Sequence, residues 1–358
     1  MTVPAKIALT GYGPGELAHT LEMKPFQGRQ VFQWLHKRRI FDFERMTDLS
    51  KALRARLAAT CVAAQLTPVE MLESPRSGTR KALFRLADGE TVETVLIRDG
   101  DRTTVCVSSQ VGCALKCSFC ATGLAGFVRN LSAAEIVEQA LHLLAEEDLE
   151  GRSPNIVFMG MGEPFRNYDA VLRAIRLLMD KDGLGIGARK ITVSTAGEAK
   201  EIERFAQEAL QVRLSISLHA ANDALRDTLV PLNRRYPLAR LREAAAAYNR
   251  ETGRQVTFEW TLFEGVNDTP AHARELLHFA DGLKAFVNLI PWNPVAGPHY
   301  RPTSKPRAEA FRDLLTAAGL KATLRTEKGQ DIDAACGQLR RTHAAAGAQA
   351  AQASGPGL

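Results

Sequence analysis

Cys113-Ala-Leu-Lys-Cys117-Ser-Phe-Cys120 is a CxxxCxxC run, and from Ser132 onward helical and extended patterns alternate regularly behind it. Three thiols this close together can hold one metal centre. Structural zinc usually takes four closed ligands, commonly as two separated pairs. Ferredoxin runs carry four cysteines at other spacings. Three cysteines without a local fourth ligand would leave one iron of a [4Fe–4S] cluster without a protein ligand. That iron can chelate a cosubstrate through an amino and a carboxylate group. S-adenosylmethionine (SAM) offers both and places its sulfonium where an injected electron cleaves a C–S bond. The alternative is a zinc knot completed by Cys106 or a histidine.

Downstream, Ser132 and Glu135 fit a capping box, and Ile136, Val137, Ala140, Leu141, Leu143 and Leu144 follow at helical spacing. Strands are predicted at 155–159, 190–195, 212–218, 255–262, 285–290 and 322–326, and helices at 168–179, 238–248, 271–279 and 307–317. Six strands in βα repetition demand a parallel sheet covered by helices, either open or curled into a barrel. The C-terminal strand ends would then carry the chemistry. Gly160-Met-Gly162-Glu163-Pro164 follows the first of these strands, where small residues admit a close backbone and Glu163 can oppose an ammonium. Ser194 ends the next strand, and Ser217-Leu218-His219 the one after. Upstream, residues 14–60 read as helical, up to a Pro/Gly-bearing stretch at 68–78. Three short strands follow at 81–86, 91–98 and 103–108, and the residues from about 342 read as a disordered tail.

Composition bounds the rest. The 358 residues are 45% hydrophobic and 24% charged, which excludes global disorder and suggests one large domain with an appendage, or two domains. No apolar run approaches the roughly 20 residues that cross a bilayer, and no secretory signal is read. Six cysteines without such a signal point to the reducing cytosol, where clustered thiols mean metal or redox chemistry. The net charge is +6; residues 1–70 hold ten Lys/Arg against six Asp/Glu. Lys37, Arg38, Arg39, Lys51, Arg54 and Arg56 could track phosphates, or simply form a solvated helix face.

The longer run from Cys106 to Gly123, CVSSQVGCALKCSFCATG, resembles the RlmN/Cfr family of radical-SAM RNA methyltransferases. So do Gly126-Phe-Val-Arg129-Asn130-Leu131, Met159-Gly-Met-Gly-Glu-Pro164, Ser217-Leu-His-Ala220, Ile290-Pro-Trp-Asn293-Pro294 and Asp331-Ile-Asp-Ala-Ala-Cys336-Gly-Gln-Leu339. The likeness runs from about Gly11 to Leu339, and Phe26-Gln-Gly-Arg-Gln-Val-Phe-Gln-Trp-Leu fits the family's accessory domain.

The resemblance implies an α/β fold: a radical-SAM partial (β/α)6 barrel with a small N-terminal helical accessory domain. Residues 1–75 would be that RNA-binding domain, 76–105 a strand-rich linker, 106–340 the core barrel and 341–358 the tail. It implies a [4Fe–4S] cluster on Cys113, Cys117 and Cys120, and SAM, two per turnover, contacted by Gly162, Glu163, Ser194, Ser217, Leu218, His219 and Asn293. Cys336 would carry a methyl group and become the link to the substrate. Glu93 would be the base, and Cys106 would resolve the link through a transient disulfide. Taken alone, Cys336 and Cys106 would read as small buried hydrophobes, and Glu93 as the solvent face of a strand. Cys61 is left as structural.

The implied target is an adenine ring carbon, C2 in the branch of the family this chain most resembles and C8 in the other, which is tied to antibiotic resistance. The implied partners are 23S rRNA, tRNA at the adenine 3′ of the anticodon, and an electron donor such as flavodoxin. No membrane is implied, and the expected state is a cytoplasmic monomer. A non-catalytic zinc-binding, RNA-binding protein is the rival from another class.

Overall fold

Ten strands cross one sheet in the order in which the chain makes them. In the computed structural model, residues 6–149, 151–294, 300–325 and 328–332 are described. β1 (Thr67–Glu73), β2 (Arg80–Arg85), β3 (Thr91–Asp99) and β4 (Arg102–Cys106) are antiparallel neighbours. From β4 onward every pairing is parallel. It runs through β5 (Asn155–Phe158), β6 (Ile191–Thr195), β7 (Arg213–Ser217), β8 (Val256–Leu262), β9 (Ala285–Pro291) and β10 (Ala322–Leu324). The described edges, β1 and β10, do not pair with each other, so the curled sheet is a partial barrel.

Two differences from the sequence expectation bear on the site. β4, expected among three linker strands, pairs antiparallel with β3 on one side and parallel with β5 on the other. The βα units therefore begin one strand earlier, and Gly160–Pro164 follows the second parallel strand. A five-residue strand separated from its helix by a long cysteine-bearing loop shows no local βα period. β1 occupies the Pro-bearing stretch where the sequence predicts the end of the helical region. Its Pro68 is tolerated because β1 is an edge strand, with a register shift between Pro68 and Glu70. Two short helices, Ala199–Ala206 and Asp223–Leu229, were also not anticipated.

The helix Ala133–Leu144 is built as expected. Ser132 Oγ accepts from the Glu135 N–H (3.2 Å), and Glu135 accepts from the Ser132 N–H (2.8 Å). The helix is buried nearly all round because it lies between the sheet and the N-terminal segment. Toward the sheet, Gln139 Oε1 accepts from Thr94 Oγ1 and the Ser108 N–H, both at 2.7 Å. Toward the N-terminal segment, Glu138 accepts from Thr10 Oγ1 (2.5 Å) and from the N–H groups of Gln65 (2.7 Å) and Leu66 (2.8 Å). The helices Pro14–Thr20, Pro25–Phe32 and Lys51–Thr60 are thereby held on the barrel's outer face. Arg173 adds a bond to the Gly11 carbonyl (2.8 Å). Among the described residues no helix is long and apolar enough to cross a membrane.

Candidate active site

A cavity of about 680 Å³ opens at the C-terminal ends of the parallel strands. This is where a parallel βα array leaves its strand ends and following loops free to converge. Cys106 reaches it from the end of β4, Glu163 from the loop after β5, Ser194 from β6, Ser217 and His219 from β7, and Asn293 from the loop after β9. Cys113, Cys117 and Cys120 line the same cavity from the loop after β4. Ten of the site residues singled out in the sequence, including Gly162, thus meet in one place.

The cysteine loop is fixed at both ends. The Cys113 N–H donates to the Gly126 carbonyl (2.8 Å), and the Ser118 N–H to the Leu229 carbonyl (3.1 Å). Gly112 makes the first contact possible: its φ is +76°, and a Cβ there would overlap the Gly126 carbonyl. Burial pushes the Cys113 thiol up to about 12, and the Cys117 thiol further still. Buried thiols become thiolates only beside compensating positive charge, which bound iron provides. Three soft donors on one loop, facing a cavity far larger than one ion, fit an iron–sulfur cluster with room for SAM. Among the described residues, no three metal-ligating side chains close around a single-ion position.

The two glycines line the cavity and also admit a close contact within the wall. A Cβ on Gly160 would meet the Val107 carbonyl and Ser108 Oγ at 2.8 and 2.7 Å, and one on Gly162 would meet Gln110 Cβ at 2.5 Å. They let the 160–163 segment press against residues 107–110, and the Glu163 N–H then donates to Gln110 Oε1 (2.8 Å). Glu163 accepts from the N–H groups of Phe165 (3.1 Å) and Ala196 (2.8 Å), and burial raises its carboxyl to about 7. A cation bound in the cavity would favour its charged form.

His219 takes a left-handed backbone conformation (φ +57°). Its Nδ1 accepts from the Thr261 N–H (3.0 Å), so the ring proton sits on Nε2. Its ring meets Phe119 of the cysteine loop edge-on at 4.7 Å. Burial first, and the Arg226 charge second, hold this histidine down to about 3, so it stays neutral.

Three expected residues do not line the cavity or lie outside what is described. Leu218 is buried behind the wall, its carbonyl accepting from Arg226 Nε (3.1 Å). Glu93 is buried on β3, on the face shared with the cavity-lining Val95 and Ile97, and Lys81 Nζ stands 3.9 Å from its carboxylate. Cys336 lies outside the described residues, as does the tail. Sequence reasoning missed Glu259, a lone acid in the apolar strand β8 that lines the cavity and accepts from Asn288 (2.7 Å). An acid inside VTFEWTL was a visible signal; Arg226 and Lys81 had none. Of the basic N-terminal residues, Lys37, Arg38, Lys51 and Arg56 are exposed, Arg38 lying over the Trp34 ring (3.9 Å), whereas Arg54 is half-buried and pairs with Glu44 (3.3 Å).

Comparison with known proteins agrees with this geometry. Residues 107–280 match the radical SAM superfamily, and residues 15–63 match the ribosomal RNA large subunit methyltransferase N-terminal domain. The chain is 50% identical to a probable dual-specificity RNA methyltransferase RlmN from Moorella thermoacetica, over 91% of this chain and 94% of that protein. It is also 50% identical to the dual-specificity RNA methyltransferase RlmN of Alkalilimnicola ehrlichii, over 88% of each. The crystal structure of a radical SAM methyltransferase from Sphaerobacter thermophilus superposes with a TM-score of 0.89 at 47% identity, covering 93% of this chain and 98% of that one. With its barrel, its three-thiol loop and its N-terminal helices all matched, the chain belongs to the RlmN family of radical SAM RNA methyltransferases.

Proposed function

We propose that this protein methylates C2 of an adenine in 23S rRNA, and of the adenine just 3′ of the anticodon in tRNA, through a methylated cysteine of its own chain. The observation that carries the reading is Cys106, a fourth thiol in the wall of the cavity that Cys113, Cys117 and Cys120 line. Direct transfer from SAM to a nucleophile would need no such thiol. The adenine ring carbon is electron-poor and carries an unreactive hydrogen, so it does not attack a sulfonium methyl as an amine does.

When bound, the cluster and two molecules of SAM supply a methyl group and a carbon radical able to remove a hydrogen from it. The remaining work falls to side chains. Cys336 carries the methyl group as a thioether and, as its methylene, bonds to the ring. Glu93 takes the ring proton, from a strand face that continues into the cavity wall, and the unpaired electron left on the ring by the addition is given up to a one-electron oxidant, a role the oxidised cluster would fill. The Cys106 thiolate then attacks the Cys336 sulfur. An S–S bond forms as the S–CH2 bond breaks, and the electron pair left on the nucleobase takes up a proton to complete the methyl group. Glu163, Ser194, Ser217, His219 and Asn293 shape the SAM-facing wall. The adenine must leave its stack to reach this cavity, and the basic N-terminal helices, with Lys37, Lys51 and Arg56 exposed, grip the RNA.

The test is the modified-base profile of RNA from cells lacking and regaining the protein. Regained 2-methyladenosine in both rRNA and tRNA is the expected result. Appearance of 8-methyladenosine instead would move the chain to the C8 chemistry, and a colourless zinc protein on anaerobic purification would end the radical reading. Replacing Cys106 with Ala should trap RNA on Cys336.

A further inference from the structure

Arg226 lies on the helix Asp223–Leu229, which follows β7, and is fully buried. Among the described residues, no carboxylate lies within ion-pair distance of it. Its guanidinium donates instead to carbonyls: Nε to Leu218 (3.1 Å), and Nη2 to Ala196 (2.6 Å) and Ser217 (3.3 Å). Nη1 donates to Asn233 Oδ1 (3.0 Å), and Asn233 in turn donates to Asp223 (2.8 Å) and Asp227 (2.7 Å). The counter-charges therefore stand one residue away.

Two consequences follow. The planar fork ties the end of β6 to the end of β7 where Ala196 and Ser217 line the cavity. The same helix also receives the cysteine loop, through the Ser118 N–H on the Leu229 carbonyl. Burial brings Arg226 down only to about 10, so it stays charged at neutral pH, one helical turn before the Leu229 carbonyl that anchors Ser118, the residue after Cys117.

We propose that Arg226 is a positioning residue with two effects: its fork sets the SAM-facing strand ends, and its charge raises the reduction potential of the cluster. The inference rests on Cys113, Cys117 and Cys120 holding that cluster. Reduction adds a negative charge, and a cation fixed nearby in a low-dielectric interior stabilises the reduced form.

The test uses the full chain reconstituted anaerobically with iron and sulfide. Cluster potential is read by redox titration and SAM affinity by equilibrium binding. Arg226→Gln should lower the potential and weaken SAM binding about tenfold, as expected for lost hydrogen bonds. Arg226→Lys keeps the charge and loses the fork, so it should keep the potential and weaken SAM binding. Asp227→Asn leaves the guanidinium's own bonds in place and removes a counter-charge, so it should raise the potential and leave SAM affinity unchanged. Equal potentials in wild type, Arg226→Gln and Asp227→Asn would overturn the electrostatic role. Unchanged SAM affinity in both arginine variants would overturn the positioning role. Should Arg226→Gln fail to fold, Asp227→Asn and Arg226→Lys decide the two points by themselves. A wild-type protein that binds no iron and sulfide would instead defeat the cysteine reading.

Discussion

Glu163 at the barrel mouth and Glu138 at the seam beneath the N-terminal helices are both buried, and burial raises both to about 7. Their surroundings differ. Glu138 accepts three hydrogen bonds that join segments more than 70 residues apart, and it does not line the strand-end cavity. Glu163 accepts two backbone N–H groups and lines the cavity. A raised acid constant therefore records desolvation, and only the neighbours tell a structural clasp from a binding group.

The largest effect should break the mouth and spare the seam. Cys117→Ala is expected to abolish cluster retention and RNA methylation, read by iron and sulfide content and by mass spectrometry of digested RNA. The unfolding free energy of the cluster-free protein should move by no more than about 1–2 kcal/mol. A variant that still methylates RNA would remove the basis for treating the mouth as special.

Next comes the seam. Glu138→Ala strands two backbone N–H groups and the Thr10 hydroxyl, and should cost about 2–4 kcal/mol in denaturant unfolding with SAM affinity unchanged. Glu163→Gln should do the reverse, weakening SAM binding about tenfold (about 1.4 kcal/mol) with a smaller stability loss than Glu138→Ala. If the two variants exchanged these signatures, the comparison would be inverted.

A weaker effect follows from pH. Glu138 and Glu163 rise from 4.5 to about 7, so the unfolded chain loses those protons first, and stability falls as pH climbs through that window. His36, His142 and His219 drop from 6.5 to about 3, 4 and 3, so the unfolded chain takes up those protons first, and stability falls as pH drops below 6.5. The expected result is a shallow stability maximum near pH 6.5 in urea titrations. His36→Phe should flatten its acid side, and an unchanged acid slope would count against a neutral buried His36. The smallest effect, common to both regions, is Ser132→Ala. It removes one side of the capping box and should cost about 1 kcal/mol.

Much of this was legible in the chain. The cysteine spacing, the Ser132 capping box and the helix over 168–179 are local patterns, and the structure has them where the pattern places them. β4's membership of the parallel array was not legible, because a strand's partner is chosen by packing and not by its own residues. The helix Asp223–Leu229 was missed because seven residues hold too little periodicity to read.

By itself, the sequence determined the spacing of the three thiols and most of the alternation of strands and helices, since both depend on residues a few positions apart. Only the tertiary structure decided that Gly160 and Gly162 press against residues 107–110, that Glu93 shares a face with the cavity wall beside Lys81, and that Arg226 bridges two strand ends. Those facts depend on desolvation and on contacts between segments distant in the chain, and no local pattern of residues specifies them.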